Sequence, residues 1–235
     1  MWKEIIRLWK SDNLLEQAWD RSYEMLEISR EMFLEAVRIL RESDDVKVNL
    51  EIKKKDWIVN EYEQEVRRKV MTHCILQGAG ALPSGMVLVS IVIDIERIGD
   101  YSKNILDLAA VHPDRLYIPP YEKTITEIEQ EIKLRFDETI DILKNQDVDK
   151  ARGMMKTFKA EIGGICDHID DELVQGKVEG IPPGDYAALA LYVRYLKRIS
   201  AHLNNMVSSV VNPFDRIGFR ELDESEKKKK DKALF

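Results

Sequence analysis

Residues 93–105 and residues 194–206 carry one pattern twice, 101 positions apart, and a duplication of that size leaves few folds open to the chain. Arg97 and Arg198, Ile98 and Ile199, and Asn104 and Asn205 are identical pairs, and the Gly/Pro-rich loops 78–85 and 175–184 precede the two copies at nearly the same offset. Each copy closes a unit of three long apolar patterns with helical spacing. In the first unit Ser11-Asp12-Asn13 offers a helix cap, and apolar residues recur at Leu15, Ala18, Trp19, Leu26, Ile28, Met32, Phe33, Ala36, Val37 and Leu40. Thirty such residues predict a helix of ~45 Å. Ser43-Asp44-Asp45 breaks it, and a second helix runs from about 47 to 76 through Leu50, Trp57, Ile58, Tyr62, Val66 and Val70. A third runs from about 86 to 110 and stops before His112-Pro113, because proline disfavours helix in the residue before it. After Pro119-Pro120 the same scheme predicts helices over about 121–145, 148–174 and 185–211.

The expected fold is therefore all-α, as two tandem antiparallel three-helix bundles. Residues 1–112 form the first, motif-bearing repeat, and 113–212 a second repeat in which the motif has degenerated. Residues 213–235, with their Lys227–Lys230 run, form a solvated, mobile tail rather than a basic docking patch. A hydrophobic fraction of 44%, a charged fraction of 34% and only 11 Gly and 7 Pro suit long helices around a core. A net charge of -7 argues against nucleic acid as a partner.

Cys74 and Cys166 stand in no metal-binding or redox spacing, and no secretory leader is visible, so a reducing cytoplasm is expected. The unbroken apolar runs Met86–Val89 and Ile91–Ile93 are too short to span a bilayer, so any membrane contact is peripheral. Trp2, Ile5, Ile6, Leu8 and Trp9 are expected to pack back on the bundle, in preference to a partner or membrane surface.

Glu96, Asp100 and Asn104 follow one another at i, i+4 on the third helix, at the border of the stripe Ile91, Ile95, Ile98 and Ile105. If the second and third helices pair antiparallel about the loop 78–85, Asp56 falls opposite Asp100 and Asn60 opposite Glu96. Three carboxylates and an amide suit hard or borderline cations such as Mg²⁺, Mn²⁺, Ca²⁺ or Fe; the competing reading is an ordinary solvated face. Moved on by one repeat, that register puts Glu161 opposite Lys197 and Thr157 opposite Ala201, which replaces the carboxylate site by an ion pair. Asp167 and Asp171 fall ten residues beyond it and, with Asn104, are secondary candidates. His73, His112, His168 and His202 are scattered, with no HExxH, phosphate-binding loop or paired nucleophile. No enzyme activity is expected.

The segment Asp94-Ile95-Glu96-Arg97-Ile98-Gly99-Asp100, followed by Asn104-Ile105, resembles the signature of the PhoU phosphate-uptake regulators, and Arg194–His202 with Asn205 is similar to the motif of that family's second repeat. The resemblance covers roughly residues 12–212. It implies a cytoplasmic, non-enzymatic negative regulator of phosphate uptake that contacts a phosphate transporter component, ATP-driven or sodium-coupled, or a sensor histidine kinase, and forms a homodimer. It also implies iron or zinc bound through acidic i, i+4 motifs on the second and third helices of each repeat. By position these are Asp56 with Asn60, and Glu96 with Asp100, while Lys197 and Ala201 abolish the counterpart on the sixth helix. Two other functions stay open: a metal-binding or storage bundle, and a structural dimerisation module whose carboxylates are neutralised by Arg97 or Lys103.

Overall fold

The apolar stripes become the buried faces of six helices in the computed structural model, which describes residues 14–43, 50–222 and Glu226. They are α1 (Leu14–Glu42), α2 (Leu50–Gln77), α3 (Leu82–Val111), α4 (Glu122–Asn145), α5 and α6 (Pro183–Val211). Helix α5 runs through Val148–Phe158, a π-helical turn at Lys159–Gly163, and Gly164–Val174. No strand occurs among the described residues. The cap at 11–13, the break at 44–45, the N-terminal apolar cluster and the lysine run lie outside the described residues.

Helices α3 and α6 begin earlier than their patterns suggest, because Pro83 and Pro183 sit in the first turn. Proline has no N–H to lose there and its φ is already helical. The loop 78–85 accordingly shrinks to Gly78, held at φ 79°, and a single 3-10 turn, Ala79–Ala81.

Helices α1 and α2 run antiparallel, tied by Arg21 Nε to Glu65 at 3.1 Å and by Lys55 Nζ to Glu31 at 2.7 Å. Helix α3 lies along both. It comes close to α2 at Gly85, where a Cβ would stand 2.7 Å from Cys74 Sγ. The stripe Met25, Met32, Phe33, Ala36 and Leu40 of α1 packs there with Ile52, Val59 and Val66 of α2 and Leu88, Ile91, Ile95 and Ile98 of α3, all fully or almost fully buried. Removing each such side chain from water is worth about 1.5–3 kcal/mol. Helix α3 spends its other side on α6, which runs antiparallel to it. Tyr101 meets Tyr195 with ring centroids 6.0 Å apart, and His112 meets Asp185 at 3.1 Å. Helix α4 joins the core through Phe136, 5.6 Å from Phe33, so the buried residues of both repeats form one continuous cluster. By length and composition Ala79–Val111 is apolar enough to cross a membrane, yet it is the helix on which α1, α2 and α6 all pack.

The second hairpin departs from the register expected of it. Glu161 does not face Lys197; it lies inside the π turn and accepts a 2.6 Å hydrogen bond from Arg135 of α4. Lys197 bonds Asp167 instead, which brings that one member of α5's acidic pair opposite α6. The register rule assumes a uniform rise, and the π turn adds a residue that rotates Glu161 and the residues before it relative to α6. Gly164 makes the turn feasible: its N–H donates to Lys159 O, and a Cβ there would stand 2.6 Å from that oxygen.

Candidate functional site

The seam between α2 and α3 collects the acidic residues Asp56 and Asp100 singled out by spacing. Asp56 projects from α2 and Asp100 from α3, and the Lys103 ammonium sits between them, donating to Asp56 Oδ1 and Oδ2 at 3.0 and 3.1 Å and to Asp100 Oδ1 at 3.2 Å. Lys103 lies one turn beyond Asp100, so the i, i+3 geometry of α3 alone aims its ammonium back at that carboxylate. Antiparallel pairing with α2 then supplies the second acid. Arg97 braces the outer side, with Nη1 3.3 Å from Asp100 Oδ2 and Nε 3.5 Å from Glu96 Oε2.

Glu96 is the strained member. Burial, the neighbouring Asp100 charge and the more distant Glu63 push its carboxyl up, and Arg97 offsets only part of that. Lys103 is held above the usual lysine range: desolvation works to lower it, but the hydrogen bonds and charges of Asp56 and Asp100 together outweigh that loss. The seam thus carries a row of carboxylates with an ammonium between Asp56 and Asp100 and a guanidinium over it. Such a row can receive a cation or a basic side chain. It holds no nucleophile, and Cys166, its thiol pushed up to about 12 by burial, is an inert core residue.

Asn60 and Asn104 are half-buried on the same two helices and take no part in this network. Asp167 pairs with Lys197, and Asp171 is exposed one turn further on. Among the described residues no three His, Cys, Asp or Glu side chains converge on a point that could hold a metal ion. The donor set as arranged does not fit the iron or zinc that the resemblance implies, because the position between Asp56 and Asp100 is taken by an ammonium.

The motif has a second task that spacing did not suggest. Asp94, almost fully buried on the opposite side of α3 from that seam, accepts from His202 Nδ1 at 2.7 Å and from Asn205 Nδ2 at 3.3 Å, both on α6. Tyr101 stacks on His202 with centroids 5.8 Å apart. The motif of the first repeat therefore grips the matching motif of the second, and the Asn205 shared by the two copies was the available signal. Two buried ion networks were also missed. Arg41 joins Glu122 at 2.6 Å and Glu129 at 3.0 Å, with the Tyr192 hydroxyl donating to Glu129 at 2.6 Å, and Arg135 joins Glu131 at 2.8 Å as well as Glu161. Both use Glu residues of α4, Glu129 and Glu131 among them, that periodicity alone assigns to a solvated face.

Residues 23–109 match the family model described as the PhoU domain. The crystal structure of PhoU from Pseudomonas aeruginosa superposes with a TM-score of 0.72 at 21% identity, covering 85% of this chain and 96% of that one. The likeness establishes the fold. No curated protein matches the sequence.

Proposed function

From a chain whose residues 23–109 match the PhoU domain model and whose helices take the fold of PhoU, we propose that this protein is a non-enzymatic, PhoU-like regulator of phosphate uptake and cellular phosphate homeostasis. The observation that carries the reading is the double use of one motif. Glu96, Arg97 and Asp100 form a half-buried acidic cluster with Lys103, while Asp94 locks α3 to α6 through His202 and Asn205. A cluster rigidly joined to the whole bundle suits recognition by contact, because its geometry is set before the partner arrives.

On this reading the protein works in the cytoplasm as a homodimer and restrains uptake by binding a phosphate transporter component, ATP-driven or sodium-coupled, or a sensor histidine kinase. A basic side chain of the partner would take the place that Lys103 now fills. Affinity capture from cells held at low and at high phosphate should recover a transport or kinase component, more of it in one state than in the other. Recovery of neither in both states overturns the proposal, and an Asp56→Ala, Asp100→Ala variant should lose the capture while keeping its fold.

The metal reading rests on the density of carboxylates at Asp56, Glu96 and Asp100 and is opposed by Lys103. Elemental analysis of the purified protein, beside Glu96→Ala and Asp100→Ala, separates the two. Stoichiometric iron or zinc lost in both variants would make the ion the working part, and Lys103 would then have to swing out of the cluster.

A further inference from the structure

The segment that follows α6 is attached to the molecule unlike any helix. Residues 213–222 leave the C-terminal end of α6, turn back along it and reach α5, yet none of them is buried. Phe214 is 40% exposed and Phe219 61%, and a cavity of about 540 Å³ bordered by Met155, Phe158, Phe219 and Leu222 separates the segment from α5. Polar bonds hold it instead. Asn212 Nδ2 donates to Phe219 O at 2.6 Å and to Arg216 O at 3.2 Å, and the Gly218 N–H donates to Ser208 Oγ at 2.7 Å. At the far end Arg152 Nε and Nη2 donate to the two Glu221 carboxylate oxygens at 2.8 and 2.9 Å. Such bonds are exchanged for bonds to water at little net cost, so a strap without a buried apolar anchor is among the first elements to open.

The strap lies on the joint between the two repeats. Gly218, at φ 84°, rests against Asn205: a Cβ there would stand 3.1 Å from Asn205 Oδ1, and glycine alone takes this backbone conformation without strain. The nitrogen of the same amide donates to Asp94 of α3 at 3.3 Å, and Asp94 also accepts from His202 Nδ1 at 2.7 Å. Ser208, which receives the Gly218 N–H, donates in turn to Asn205 O at 2.6 Å. The strap thus touches one side of an amide whose other side is bound to the first repeat. Lifted away, it would admit water to the Asn205 amide, and water would compete with Asp94 for it.

We infer that residues 213–222 are a latch on the inter-repeat joint. Closed, the latch holds the Asn205 amide on Asp94; open, it lets α3 and α6 loosen at Asp94 while the rest of their contact stays. The coupling is reciprocal, because a closed strap that favours the joint must itself be favoured by it. His112 and Asp185 pair the same two helices at their opposite ends, 3.1 Å apart and beyond the reach of the strap, and serve as an internal control. The inference stands on these contacts alone and does not depend on the regulatory reading.

Amide hydrogen exchange and nitrogen NMR of the histidine rings, both on the full-length protein, test this. Asn212→Ala and Arg152→Gln release different parts of the strap without touching Asn205, and each should speed exchange of the Gly218 amide roughly tenfold, the weight of one net hydrogen bond. In the same variants the His202 ring, held by Asp94 with its proton on Nδ1, should move towards the tautomer mixture of a free imidazole, whereas the His112 ring should keep its signal. Asp94→Ala should in turn speed exchange at Gly218. An unchanged His202 signal beside faster strap exchange overturns the inference, and so does unchanged Gly218 exchange in both strap variants. Movement of His202 and His112 together also overturns it, since that marks general loosening of the bundle.

Discussion

Lys103 decides the character of the acidic cluster. Its ammonium sits between Asp56 and Asp100, and it is only partly exposed. Replacing it by Met should leave those carboxylates facing one another and lower stability by about 1 kcal/mol in urea denaturation, with the loss shrinking as salt screens the repulsion. Glu96 makes a prediction of opposite sign. Its folded pKa is raised, so above that value folding carries the cost of a desolvated carboxylate beside Asp100, and the cost vanishes as pH falls through the ordinary carboxylate range. Glu96→Gln should therefore raise Tm at neutral pH, and the two melting curves should converge in acid. At this scale the sequence was partly legible. The i, i+4 spacing picked out Glu96 and Asp100, but the neutral amides Asn60 and Asn104 shared the spacing without joining the network. Spacing reports which face a side chain occupies, whereas a charge's partners depend on the neighbouring helix.

Among the elements, α5 shows what periodicity misses. Its limits at 148 and 174 followed from the apolar pattern, but the π turn at Lys159–Gly163 did not, because one added residue shifts the phase without breaking the stripe. Gly164→Ala should strain that turn, since its Cβ would meet Lys159 O at 2.6 Å. The expected cost is about 1–3 kcal/mol, accompanied by increased amide exchange over 159–164. Arg135, only 1% exposed, holds the turn from α4 through Glu161, Thr157 and the carbonyl of Met154. Arg135→Ala removes the cation and leaves its acceptors unpaired, so a loss of about 3–5 kcal/mol is expected in chemical denaturation.

Across the whole molecule, the two repeats are held together along α3 and α6 by a continuous apolar core and by the Asp94, His202 and Asn205 contact within it. Asp94→Ala should cost about 1–3 kcal/mol by leaving the His202 and Asn205 donors without their acceptor. Its diagnostic effect is on cooperativity: weakening this seam should split the denaturation of the first and second repeats, seen as a lowered m-value or a second transition. Sequence by itself determined the six helices of the described residues, because apolar period, proline and glycine act within a few residues of where they stand. It also determined which residues crowd the acidic face of α3. Only the tertiary structure decided that Lys103 fills that face, that Glu161 turns to Arg135 while Asp167 takes Lys197, and that Asp94 binds one repeat to the other. Each of those choices is made between helices, where local helix rise, packing distance and the competition of neighbouring charges select one partner among several that spacing allows equally.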